Sequence, residues 1–148
     1  MKKLLAKKRD NKGFSLVELI VVILIMAVIA VALAPQVMKW VGTSKENTDK
    51  NNIGQIESAV NAGVADYMAQ NNTAKVPVAK FMVGDSGLEE VGTVVDSAPD
   101  GKKLKELIEE AMNGKYPKVQ QDGSKKFQIE ITDTGKVTVT VPGIKELE

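Results

Sequence analysis

The chain has 148 residues, enough for one domain of ordinary size, and its 43% apolar content is typical of globular proteins. It contains no Cys and no His, which removes disulfides, thiolate chemistry, Cys-ligated zinc and the commonest general base. The formal net charge of +1 hides an asymmetry: residues 1–13 carry six basic side chains against Asp10, a net of +5, and the remainder carries 14 basic and 18 acidic groups, a net of −4, which argues against a dedicated nucleic-acid binder.

Residues 1–13 form a polar leader with Lys2, Lys3, Lys7, Lys8, Arg9 and Lys12. Such a positive end is expected to stay in the cytoplasm while the rest crosses the membrane. Phe14 to Ala34 is a run of 21 residues whose single charge is Glu18. As an α-helix it spans about 30 Å, enough for a bilayer. Its β-branched residues favour strand in water, but in lipid every backbone group must be bonded internally, so helix wins. A lone carboxylate in hydrocarbon costs at least about 2.5 kcal/mol without a partner. The nearest candidate partner is an amino group made by cutting the chain at Gly13. An ordinary signal peptide is cut after its apolar region, at a small-residue site that Ala30, Ala32 and Ala34 only mimic.

Pro35 ends the run and is expected to kink or loosen the helix, because it lacks an N–H and clashes with the carbonyl of Val31. Gly42 is a second weak point, and Lys39 and Trp40 sit where interfacial anchors belong. Val37, Trp40, Val41, then Ile53, Ile56, Val60, Val64 and Tyr67 recur at helical spacing. The stretch Thr43 to Asn52 between them is polar on all sides, suited to a solvated or subunit-contacting segment. A helix from Phe14 to Gln70 would have 57 residues and a length of about 85 Å, so its first half must project. Gly54 and Gly63 are either tolerated surface glycines or points of close packing against a sheet.

Asn71 to Thr73 breaks the helix. Val76 to Val83, with Pro77, suits an edge strand or extended loop. Asp85 to Gly87 reads as a turn and Val91 to Val95 as a short strand. Lys102 to Asn113 is an amphipathic helix with Leu104, Leu107, Ile108, Ala111 and Met112 on one face, Ser97 or Asp100 as its cap, and Gly114 with Pro117 at its end. Phe127, Ile129 and Ile131, then Val137, Val139 and Val141, alternate with polar residues on either side of Asp133-Thr134-Gly135, the pattern of a β-hairpin. Its apolar face calls for a cover, and the carboxyl-terminal half of the long helix is the natural one. The expected fold class is α+β: a long amino-terminal helix, half protruding and hydrophobic, on a small antiparallel sheet. The expected parts are a leader (1–13), a transmembrane or filament-core helix (14–35), the second half of the long helix (36–70) and a globular head (71–148).

The junction Lys12-Gly13-Phe14-Ser15-Leu16-Val17-Glu18-Leu19-Ile20, the apolar stretch after it and Pro35 resemble the type IV pilin family, which includes the pseudopilins of type II secretion and competence systems. The resemblance implies cleavage between Gly13 and Phe14 by prepilin peptidase and N-methylation of Phe14 by the same enzyme. It implies that Glu18 registers each incoming subunit against the Phe14 amine of a neighbour, and that Pro35 marks a stretch that loosens in the filament core. The implied partners are further copies of the chain in a helical homopolymer, prepilin peptidase, the assembly ATPase and platform, and the membrane before assembly. The implied location is a single-pass membrane precursor and then a surface pilus serving adhesion, twitching motility or DNA uptake, with no cofactor. Many Gram-negative pilins carry a carboxy-terminal disulfide loop. The absence of Cys points instead to a Gram-positive pilin or a pseudopilin.

Blander and sharper readings compete at other positions. A plain signal-anchor helix holding a non-polymerising binding module explains the hydrophobicity but neither Glu18 nor the Gly13–Phe14 junction. Asp85, Glu89, Glu90, Asp96 and Asp100 suggest a calcium loop but lack EF-hand spacing, and a solvated acidic loop is the plainer reading. Lys102, Lys103, Lys105, Lys125 and Lys126 suggest a DNA-contacting patch, unsupported because aromatic interleaving is sparse. Asn71-Asn72-Thr73 matches a glycosylation sequon, a triplet common by chance. No spacing of nucleophile and base suggests an enzyme.

Overall fold

The computed structural model describes residues 13–92, 94 and 102–144. In chain order these contain α1 (Leu16–Gln70), β1 (Ala79–Val83), β2 (Leu88–Glu90), α2 (Leu104–Met112), β3 (Gln128–Ile131) and β4 (Val137–Thr140). The chain divides into two units, Met1–Trp40 and Val41–Glu148, and α1 contributes to both.

In the first unit, every described residue is exposed. The helical assignment of α1 continues through Pro35 and Gly42 without interruption. Because the apolar residues occur all round the helix, this stretch has no inner and outer face.

The second unit is built on a four-stranded sheet of order β2-β1-β3-β4, antiparallel throughout. Register aligns Phe81 with Ile129 and Ile129 with Val139, so one row of apolar side chains crosses three strands. Period-two alternation puts that row on a single face. The buried core joins it to Phe127 and Ile131, to Ile56, Val60, Val64 and Tyr67 of α1, and to Leu104, Leu107, Ile108 and Met112 of α2. The carboxyl-terminal half of the long helix therefore covers the sheet, in the α+β arrangement that the hairpin's alternation requires.

Several local expectations change. β1 is an interior strand, paired with β2 on one side and β3 on the other, not an edge. Pro77 lies outside it, so the missing N–H removes no ladder hydrogen bond. The short strand expected at Val91 to Val95 lies earlier, at Leu88–Glu90. Val91 still donates its N–H to the Lys80 carbonyl, and residues 93 and 95 are outside the described set. The N-cap position of α2 is Lys103, extended and without a side-chain cap; the expected caps Ser97 and Asp100 are outside the described residues. The hairpin connection forms as read, with Gly135 at φ 80° and its N–H on the Thr132 carbonyl at 2.9 Å.

The two helix glycines separate cleanly. A Cβ on Gly54 would meet nothing within 4 Å, the tolerated surface case. A Cβ on Gly63 would lie 2.8 Å from the backbone N and Cα of Ile108, so Gly63 is a close-packing point. Its neighbour is α2 rather than the sheet.

Candidate functional site

The amino-terminal turn of α1 is organised by Ser15 and Glu18. The Leu19 N–H donates to the Ser15 carbonyl at 3.2 Å, which places Ser15 at the cap. The Ser15 hydroxyl accepts a long bond from the Val17 N–H at 3.4 Å, and the Glu18 Oε2 accepts the Ser15 N–H at 2.9 Å. A Ser followed three residues later by a Glu that reaches back is the capping-box arrangement. The helix dipole favours an anion at this end. Glu18 thus has a hydrogen-bond donor within its own chain, which lessens the cost of placing a carboxylate at the head of an apolar segment. Phe14 and Gly13 precede the cap; Phe14 is 90% exposed, and nothing lies within 4 Å of a Cβ on Gly13.

Beyond the cap, α1 contains an 18-residue window long and apolar enough to cross a membrane, none of it buried. Leu16, Ile20, Ile23, Leu24, Val28 and Val31 are among its exposed large side chains. Trp40 is also exposed.

The family described as the prokaryotic N-terminal methylation motif matches residues 8–34, the stretch that contains Gly13, Phe14 and Glu18. The chain is also 29% identical over 136 residues, 90% of its own length and 88% of the relative's, to "Prepilin peptidase-dependent protein A" of Clostridium perfringens (strain 13 / Type A). Both similarities support a type IV pilin-like precursor. No solved structure matches it significantly.

These similarities point to a structural protein rather than an enzyme, and the apolar helix with its methylation motif fits a membrane-anchored precursor. In the second unit, the residue with no counterpart among the sequence expectations is Asp49. It lies in the stretch expected to be polar on all sides, yet it is 0% exposed. Its two carboxylate oxygens accept the backbone N–H groups of Gln120 and Gln121 at 2.7 and 2.9 Å. Asp49 ties the segment between α2 and β3 to α1, across more than 70 residues of sequence. A signal was present: stepping back seven residues along the stripe Ile56, Val60, Val64 lands on Asp49. Glu109 has a similar role in α2, accepting the Leu88 N–H at 2.8 Å at the start of β2.

Four of the acidic and basic groups singled out in the sequence are ion-paired: Asp85, Glu89, Lys102 and Lys126. Asp85 meets Lys118 at 2.8 Å and Glu89 meets Lys126 at 2.7 Å. The hydrogen bond and charge of Lys118 hold the Asp85 carboxyl below the usual carboxylate range. Among the described residues no three carboxylates gather as metal ligands, and Asp96 and Asp100 lie outside that set. Lys102 pairs with Glu110, whose hydrogen bond and charge raise its ammonium above the ordinary lysine value. With Lys102 and Lys126 neutralised, the five-lysine patch is reduced. The sequon residue Asn71 is part-buried at the end of α1 and donates its side-chain nitrogen to the Tyr67 carbonyl at 3.1 Å, a bond that a glycan on that nitrogen would disturb.

Proposed function

We propose that this precursor is a structural subunit of a type IV pilus: inserted with its leader inside, cleaved between Gly13 and Phe14 by prepilin peptidase, N-methylated at Phe14 and polymerised into a surface filament. The observation that carries the reading is Glu18 at the head of a fully exposed apolar helix. Cleavage at Gly13 frees the Phe14 α-amino group, whose reference pKa of about 8 makes it largely cationic at neutral pH. Glu18 Oε2 holds the Ser15 N–H, and Oε1 has no partner among the described residues, so it can accept the amine of a neighbouring copy. Desolvation offsets much of that attraction. The pair therefore acts on register more than on strength, since a misaligned copy leaves a buried charge unpaired at a cost of about 3–5 kcal/mol. Contact among the apolar helices, at about 25 cal/mol per Å², supplies the holding energy. In this reading Pro35, which lacks a donor for the Val31 carbonyl, marks the stretch of α1 that loosens in the shaft.

The name of the Clostridium perfringens relative supports peptidase processing. An assembly ATPase and its platform would perform the mechanical work, because nothing in the described chain suggests nucleotide chemistry. The test has two parts. Mass spectrometry of filament material is expected to find a methylated Phe14 at the amino terminus, and residues 1–13 retained there would overturn the reading. Glu18→Ala is expected to cut filament number at least tenfold while precursor still reaches the membrane; unchanged filaments would remove the assigned role. A pseudopilin shares this amino-terminal chemistry, and the lack of Cys suits it equally. Electron microscopy of sheared fibres separates the two by polymer length.

A further inference from the structure

The head contains a groove of about 580 Å³ between the exposed side of α1 and the end of α2. Gln55, Ser58 and Ala62 form one wall, and Met112, Lys115 and Tyr116 the other. That volume lies within the range of small-ligand sites, about 300–1,000 Å³. Lys115 has no ion pair among the described residues, a state it shares with Lys75, Lys103, Lys105, Lys125 and Lys136, but it is the lysine that lines the groove. No carboxylate lines the groove, so its one formal charge is positive. The side-chain polar groups of Gln55, Ser58 and Tyr116 also have no hydrogen-bond partner among the described residues. Small side chains at Ser58 and Ala62 keep that wall low beside the Tyr116 ring.

We infer that this groove binds an acidic sugar, a pyranose bearing one carboxylate. The apolar C–H face of the ring lies on Tyr116, the hydroxyls meet Gln55 and Ser58, and the carboxylate pairs with Lys115. An aromatic face beside an amide and a hydroxyl suits a polyol ring. The unneutralised lysine selects the charged sugar over the neutral one by charge complementarity. The role of giving a surface fibre a ligand to hold rests on the pilus reading and on the groove staying open in the filament, whereas binding by the isolated chain does not.

Saturation-transfer NMR on the full chain in detergent micelles tests this, with glucuronate as probe and glucose and acetate as controls. Glucuronate is expected to show transfer, with glucose at least fivefold weaker and acetate silent. Lys115→Gln is expected to weaken glucuronate about fivefold and bring it level with glucose. Ala62→Trp, a change at an exposed position, is expected to fill the groove and abolish transfer without altering the melting temperature. Absence of transfer from glucuronate overturns the proposal. So does equal transfer from glucose, or a Lys115→Gln protein that still prefers glucuronate. Protection of an Ala62→Cys thiol from maleimide labelling in intact filaments, but not in the detergent-solubilised chain, would show that a second copy occupies the groove, and would overturn it as well.

Discussion

The two halves of α1 have the same secondary structure and opposite environments. From Phe14 to Val41 its large apolar side chains are exposed, including Leu16, Ile23 and Val31. From Asp49 to Tyr67 a single stripe is buried against β-strands and α2, and the other side carries small or polar residues. A helix apolar all round requires a surrounding apolar medium, whether lipid or further copies of itself. A helix apolar on one stripe is satisfied by its own chain. In the proposed filament the first half would carry association energy, while the second carries fold stability.

Equivalent truncations in the two halves sharpen the contrast most. Phe127→Ala in the buried core is expected to cost about 3–5 kcal/mol and to lower the melting temperature of the detergent-solubilised protein steeply. Ile23→Ala removes comparable apolar bulk from the exposed half and should leave that melting temperature unchanged while filament yield falls. A core loss from Ile23→Ala would break the comparison.

Asp49 tests where the fold-bearing half begins. Asp49→Ala leaves the Gln120 and Gln121 N–H groups without their acceptor, and the expected loss is about 3 kcal/mol in denaturant unfolding. Asp49→Asn, whose amide oxygen retains one of the two bonds, should cost less. If both variants melt with wild type, the clamp contributes nothing and the stability boundary lies further along α1.

The glycines provide a finer probe within one helix. Gly63→Ala forces a Cβ against the Ile108 backbone and should destabilise by about 1–3 kcal/mol. Gly54→Ala meets open space and should stabilise by up to about 1 kcal/mol through helix propensity. Thermal melts of the pair, which should move in opposite directions, decide the matter.

The smallest effect is electrostatic. The hydrogen bond from Lys80, 2.6 Å away, and then its charge hold the Glu130 carboxyl below its ordinary value. A carboxyl lowered by folding contributes stability above its unfolded pKa of about 4.3 and loses it as pH falls through the lower folded value. Both partners are about half exposed, so solvent screening keeps the contribution small. Glu130→Gln should lower the melting temperature slightly at pH 7, and the difference should vanish under strongly acidic conditions.

Much of this was legible in the residues themselves. The apolar run from Phe14 with one carboxylate, the period-three-and-four stripe from Ile53 to Tyr67, and the two alternating strands around Asp133-Thr134-Gly135 are local patterns, so the long helix, the hairpin and their mutual packing followed. The capping relation between Ser15 and Glu18 was also present as a local spacing, although its hydrogen bond became visible only in three dimensions. Apart from the placement of the short strand β2, the differences concern partners distant in sequence. Val76 to Val83 reads locally as an edge strand or extended loop, because the pairing of Phe81 with Ile129 joins strands separated by α2. For Gly63 the local pattern leaves a surface position and packing against the sheet both open, because nothing local predicts that Ile108 crosses it.

Asp49 shows the division most clearly. Its sequence neighbourhood is polar, and local composition reads solvent. Tertiary structure alone brings the Gln120 and Gln121 N–H groups to its carboxylate. Hydrophobic periodicity is a property of neighbours along the chain, so the sequence by itself determined which stretches are helical, which alternate, and where the apolar shaft begins. Satisfying a buried polar group depends on what the folded chain places opposite it, so only the tertiary structure decided that an aspartate would be buried there and what would hold it.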